Sequence, residues 1–301
     1  MQAAIRVENL TKVYSFKNGK SGCSSLPALD NVSLSVRRGE FFALLGPSGC
    51  GKSTLLHIIG GIVPATGSIF IGGKSVSGPG LDRGVVFQEY ALFPWRTALG
   101  NVEFGLEIKG VSKDKRSRIA REHLSLVGLE GFEDKYPYQL SGGMKQRVAI
   151  ARALAYDPDV LLMDEPFAAL DTQTRETLQC ELLRIWEKTG KTIIFVTHSI
   201  EEAAFLAEKV AVMTARPGTI KRIVDIPLPK PRYTERDIRS SAQFALVRHK
   251  LWELLSEEVD RSKRETDGLQ GFAAAYPERS SKSPVKCGFK TGAFSQKVGE
   301  V

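Results

Sequence analysis

Gly46, Pro47, Ser48, Gly49, Cys50, Gly51, Lys52, Ser53 and Thr54 fit the pattern G-x-x-x-x-G-K-[ST]. Glycines at 46, 49 and 51 leave room for backbone N–H groups to converge on phosphate oxygens. Lys52 is spaced to bring a point charge to the β- and γ-phosphates, and the Ser53 hydroxyl to meet Mg²⁺. More than a hundred residues on, the apolar run 160–163 closes on two carboxylates, Asp164 and Glu165. Asp164 suits the shell of a phosphate-bound metal, and Glu165 could polarise an attacking water as general base. Between the two elements stand Ser141, Gly142 and Gly143, followed by Met144, Lys145, Gln146 and Arg147.

These residues need elements that hold them. Residues 41–45 are a fully apolar run leading into the glycine loop, and residues 54–59 have helical character. Strand, glycine loop and helix are the context a phosphate cradle requires. Residues 85–87, 160–163, 192–196 and 210–213 read as further short buried strands, with helices over 172–189 and 200–207 between them. A largely parallel α/β sheet is predicted. Residues 5–7 and 33–36 read as edge strands around 10–14, and the Gly/Ser/Lys-rich stretch 17–25 as a loop insertion. Residues 90–155 lack strand patterns and predict helices over 102–108, 113–127 and 143–155, a helical subdomain inserted into the α/β core. A hairpin strand over 220–226 precedes Pro227, Pro229 and Pro231, an extended connector. Phe244, Val247, Leu251, Leu254, Leu255 and Val259 give residues 238–259 an amphipathic helical period. From Arg261 on, few apolar residues remain and disorder is expected.

The chain has 301 residues, 42% hydrophobic and 25% charged, ordinary for a folded globular protein. No run approaches 18 apolar residues, so no membrane span is expected, and the N-terminus carries no signal-peptide core. Cys23, Cys50, Cys180 and Cys287 are scattered without metal or disulfide spacing, which fits free thiols in a reducing compartment. Part of the net charge of +8 lies in the tail, where eight Lys/Arg stand against four Asp/Glu. A solvated surface is the reading for the folded part, and no nucleic-acid partner is expected. Cys50, inside the glycine loop, invites a redox reading through the helix dipole. The competing reading is a small residue filling a small space.

In order and spacing the three segments resemble those of the ATPase subunits of ABC transporters, over residues 3–230 or so. The resemblance extends to Gln88, which matches the glutamine loop and implies a metal or water contact. Asp171, after Leu170, matches the dimer-contacting aspartate loop; His198 matches the switch histidine at the γ-phosphate; Tyr14 matches the aromatic that stacks on adenine, with a packing aromatic as the alternative. The family implies ATP and Mg²⁺ as cofactors, with Ser53, Gln88 and Asp164 at the metal. It also implies a P-loop NTPase core of the RecA-like kind with an antiparallel β edge and the helical subdomain. Ser141, Gly142 and Gly143 would meet the γ-phosphate of ATP held by a second copy, through exposed N–H groups and a positive helix end. A head-to-tail homodimer would sandwich two ATPs.

Residues 87–95, 101–106, 215–218 and 227–232 resemble the nitrate/sulfonate/taurine-type importers, and no β-rich regulatory domain follows. That resemblance implies a separate integral-membrane permease, a substrate-binding protein acting indirectly, and a peripheral position on the cytoplasmic face of the plasma membrane. Phe93, Pro94 and Trp95 would face the permease. Importers of other solutes, such as pyrimidine precursors, and soluble ABC ATPases of repair or translation are the alternatives. The expected organisation is an ATPase domain over residues 3–232, with its helical subdomain at about 90–155. An amphipathic helix over 233–260 and a basic, disordered tail over 261–301 would follow.

Overall fold

The computed structural model describes residues 3–18, 22–234 and 238–274. Two long strands, β1 (Ala3–Asn18) and β2 (Gly22–Arg37), open the chain as an antiparallel pair. β3 (Phe41–Leu45) is buried along its whole length, as an unbroken apolar run demands of a strand covered on both faces. There follow α1 (Lys52–Ile59), β4 (Thr66–Ile71), β5 (Lys74–Ser75) and β6 (Arg83–Val86). Three helices, α2 (Ala98–Ile108), α3 (Lys113–Leu126) and α4 (Gly142–Ala155), then intervene before β7 (Val160–Asp164). α5 (Thr172–Thr189), β8 (Thr192–Thr197), α6 (Ile200–Leu206), β9 (Lys209–Met213) and β10 (Ile220–Asp225) lead to the last helix, α7 (Ala242–Ala274).

The strands form two sheets. One has four strands in the order β2-β1-β4-β5, all antiparallel. The other has six, in the order β10-β9-β3-β8-β7-β6, parallel except for β10 at its edge. Because successive strand residues point to opposite faces, the central strands feed two cores. Phe41, Ala43 and Leu45 of β3 pack with Leu161 and Met163, Ile193 and Phe195, and the helices α2 to α6. Phe42 and Leu44 pack with Val160, Leu162, Ile194 and Val196 against α1 and the antiparallel sheet. Val102, Leu106, Ala120, Leu124 and Val148 join the first core, so the helices between β6 and β7 are continuous with the parallel sheet.

The antiparallel β part is a sheet of its own that also takes in β4 and β5. Two expectations change. Residues 17–25 are not a plain loop: Lys17 pairs with Cys23 and Asn18 with Gly22, so the hairpin extends through the stretch, and residues 19–21 lie outside the described residues. The amphipathic helix starts after a 3₁₀ turn at Ile238–Ser240 and passes Arg261, where disorder was expected, to reach Ala274. Residues 261–274 hold no proline, and Arg, Lys, Glu, Leu, Gln and Ala in them outnumber Gly268 and Gly271, which lets the helix continue despite its low hydrophobicity. The rest of the expected tail, 275–301, lies outside the described residues. The chain divides into two compact units, Met1–Lys263 and Arg264–Val301. Among the described residues no helix is long and apolar enough to cross a membrane.

Candidate functional site

The glycine loop joins the C-terminal end of β3 to the first turn of α1. Gly51 sits at φ 101°, and a Cβ there would lie 2.8 Å from the Ala28 carbonyl oxygen, so the turn into the helix admits only glycine. Lys52 is only 4% exposed. Its Nζ donates to the carbonyls of Gly46 at 2.8 Å and Pro47 at 2.9 Å, which folds the charge back across the loop. Cys50 is buried, and burial pushes its thiol up despite the nearby Lys52 and Arg216 charges. A protonated, enclosed thiol supports the small-residue reading over the redox one.

The Ser53 hydroxyl donates to Asp164 Oδ1 at 2.8 Å, so α1 and the end of β7 meet through two hard oxygen groups. Burial raises the Asp164 pKa, opposed by the Ser53 hydrogen bond and the His57 charge. His57 Nε2 lies 3.4 Å from Asp164 Oδ2 without hydrogen-bond geometry. Sequence reasoning passed over His57, although its place four residues after Ser53 puts both on one face of α1. Glu165 follows at φ 43°, its N–H donating to the Val196 carbonyl of β8 at 3.1 Å. Its Oε2 lies 3.0 Å from His198 Nδ1, immediately beyond β8. Behind them Glu202, lifted by burial, accepts from Thr197 Oγ1 at 2.6 Å and from Gln179 Nε2 at 3.2 Å.

Gln88 lies beyond the end of β6 at Val86, in an exposed turn rather than at a strand terminus. The next residues bend sharply, with Tyr90 at φ 59° and Ala91 at φ 47°. Arg152 of α4 holds that bend, Nη1 donating to the Ala91 carbonyl at 2.6 Å and Nη2 to that of Tyr90 at 3.0 Å. Asn101, fully buried, ties down the following segment: its Oδ1 accepts from Phe93 N–H at 2.8 Å, and its Nδ2 donates to the carbonyls of Phe93, Arg96 and Thr97. Neither role was legible in the chain, because each joins elements distant in sequence or acts on backbone alone. Phe93 packs on Phe104 at 4.6 Å and lines a groove of roughly 410 Å³ with Ile62, Leu81, Phe87 and Ile108. Trp95, by contrast, is 71% exposed.

Ser141 caps α4, its Oγ accepting from Met144 N–H at 3.3 Å, and Gly142 and Gly143 form the first turn. Asp171 caps α5 in the same way, accepting from Thr174 N–H at 3.0 Å, which lowers its pKa. Among the described residues no hydrogen bond joins Ser141, Gly142, Gly143 or Asp171 to the glycine loop of the same chain. Tyr14 stands on β1 opposite Leu26, with the Lys12 ammonium 4.9 Å above its ring.

Residues 29–168 match the family model described as ABC transporter. The chain is 56% identical to an uncharacterized ABC transporter ATP-binding protein of Methanocaldococcus jannaschii, over 87% of this chain and 95% of the relative. It is 48% identical to the nitrate import ATP-binding protein of Synechocystis, over 77% and 86% of the two chains. It is likewise 48% identical to the taurine import ATP-binding protein of Escherichia coli, over 74% and 89%. Among solved structures it resembles a dimeric ATP-binding cassette bound to ADP and phosphate in a post-hydrolysis state. That match has a TM-score of 0.64 and 38% identity, over 74% of this chain and 98% of the other.

Proposed function

The chain belongs to the ABC transporter family of ATP-binding proteins and is an ATPase of that family, and from that premise we propose that it powers uptake of a small anion through a separate membrane permease. The observation that carries the catalytic half is the adjacency of β3, β8 and β7. Their C-terminal ends set the glycine loop, His198 and the Asp164–Glu165 pair side by side.

Residues 46–54 cradle the phosphates of ATP through backbone N–H groups, and Lys52 exchanges its two carbonyl partners for phosphate oxygens. Ser53, Asp164 and Gln88 would hold Mg²⁺, which when bound neutralises charge on the phosphate oxygens. Ser53 and Asp164 fit such an ion as a hydroxyl and carboxylate 2.8 Å apart, and a carboxylate disfavoured by burial gains from a neighbouring cation. Glu165 takes the proton of the attacking water, and His198 steadies that carboxylate beside the γ-phosphate. Tyr14 stacks on the adenine. Ser141, Gly142, Gly143 and Asp171 serve the nucleotide of a second copy in a homodimer.

The apolar groove beside Phe93, whose ring also meets that of exposed Trp95 at 5.6 Å, receives a helix of the permease at the cytoplasmic face of the plasma membrane. Two relatives carry names for nitrate and taurine import, and both names denote small molecules bearing an oxyanion group. A substrate-binding protein and the permease select among such anions. The test is uptake of labelled nitrate, taurine and other sulfonates in cells lacking this chain. Uptake of at least one falls, and returns with the wild-type chain but not with Glu165→Gln. Unchanged uptake of every anion in the panel contradicts anion import.

A further inference from the structure

Ala215, Arg216, Pro217 and Gly218 fill the turn between β9 and β10 and have no part in the chemistry above. They nevertheless touch the phosphate loop twice. Arg216 donates to the Gly49 carbonyl from both Nε, at 3.2 Å, and Nη2, at 3.0 Å. Gly218 backs onto the next peptide so closely that a Cβ there would lie 2.1 Å from the Cys50 carbonyl oxygen, a distance no side chain survives. The turn is anchored on β2, where Gly218 N–H donates to Ala28 O at 2.9 Å and Gly218 O accepts from Asp30 N–H at 3.1 Å. On its other side Ala215 N–H donates to Glu258 Oε2 of α7 at 3.0 Å. Glu258 is nearly buried and pairs with Lys221 of β10 at 2.9 Å, while Lys221 also donates to the Leu254 carbonyl at 3.1 Å.

We propose that Arg216 is a positioning residue for the phosphate loop and that Glu258 of α7 holds its turn in place, so that the last helix tunes nucleotide affinity. The peptide group is planar and trans, so its carbonyl and N–H point in opposite directions. Gripping the Gly49 carbonyl therefore fixes the direction of the Cys50 N–H, which closes on Pro47 O inside the loop at 3.4 Å. Arginine suits the task because its guanidinium stays charged and offers two donors to one acceptor. The brace presupposes that residues 46–54 hold the phosphates of ATP.

The experiment titrates a fluorescent N-methylanthraniloyl ATP with Mg²⁺ into wild type, Arg216→Ala, Arg216→Lys, Glu258→Gln, the Arg216→Ala/Glu258→Gln double variant and Lys52→Ala. ATP turnover and nucleotide-free melting are recorded alongside. Arg216→Ala raises both Kd and KM about tenfold, the scale of losing a charge-assisted contact, while kcat stays within about twofold and the fold stays intact. Arg216→Lys recovers part of the loss. Glu258→Gln weakens binding by about threefold, and the double variant binds no more weakly than Arg216→Ala alone, as two parts of one linkage should. If wild type binds, Lys52→Ala does not, and Arg216→Ala binds as wild type, the brace is wrong while the phosphate-loop assignment stands. An effect of Glu258→Gln that adds in full to that of Arg216→Ala overturns the link to α7. Failure of wild type to bind removes the phosphate-loop assignment, and the brace with it.

Discussion

Glu165 occupies a left-handed conformation at φ 43°, uncommon for a residue with a long side chain and worth about 1–3 kcal/mol of strain. The strain aims its carboxylate at His198, 3.0 Å away, beside the Ser53–Asp164 pair. Glu165→Gln should keep the fold and the binding of ATP while turnover falls ~10²–10⁴-fold, the usual loss for a general base. Steady-state hydrolysis with parallel nucleotide titration checks this, and near-normal turnover removes Glu165 from the role. Asp164 makes the complementary case. Burial raises its pKa from an ordinary 3.8, so the folded state binds its proton more tightly than the unfolded chain does. The stability it contributes is present at low pH and lost as pH rises from about the unfolded value through the folded one. At neutral pH the ionised group is a liability. Asp164→Asn should raise the nucleotide-free melting temperature while abolishing hydrolysis. A lower melting temperature than wild type would show that the carboxylate is stabilising as it stands. Ser53 was legible through the glycine-loop motif, and Asp164 and Glu165 through the apolar run they close, whereas His198 was reached through the family resemblance. Asn101 and Arg152 were not legible, since their work depends on which backbone lies opposite, and neither was His57, whose neighbour Asp164 is brought to it only by the fold.

The segment from Gln88 to Arg96 lies against α2 and α4, held by Asn101 and Arg152, and so reports on both the parallel sheet and the helices. Such a tethered bend can relay the state of Gln88 to whatever covers Trp95. Phe93, read in the sequence with Pro94 and Trp95 as facing the permease, is half-buried against Phe104, which leaves Pro94 and Trp95 exposed. Trp95→Ala should accordingly leave basal hydrolysis and melting unchanged, while co-purification with the permease and transport-coupled hydrolysis fall severalfold. A joint fall of basal activity and melting temperature would make Trp95 a packing residue instead. Strands such as β3, β7 and β8 were legible because burial on both faces leaves an unbroken apolar run. β4 was missed because its first three residues, Thr66, Gly67 and Ser68, are exposed and polar or small, and β5 is only two residues long. The reach of α7 was misjudged by treating low hydrophobicity as disorder, although helix-forming residues and the absence of proline keep the helix going.

At the scale of the whole molecule, the glycine loop follows β3 and the Ser141 cap opens α4, and among the described residues no hydrogen bond joins the two. A helix start with two leading glycines offers exposed N–H groups, and in the function proposed above it would complete a site built head-to-tail by a second copy. The similar cassette solved with ADP and phosphate is a dimer. Nucleotide-dependent association is therefore the direct test of the two-copy site. Light scattering of Glu165→Gln should give the mass of one chain, 33.1 kDa, without nucleotide and twice that with saturating Mg²⁺-ATP. Ser141→Arg, which places a bulky charge at the cap, should bind ATP yet stay at the single-chain mass. A mass that remains at one chain although ATP is shown to be bound, even with the permease present, would contradict the two-copy site.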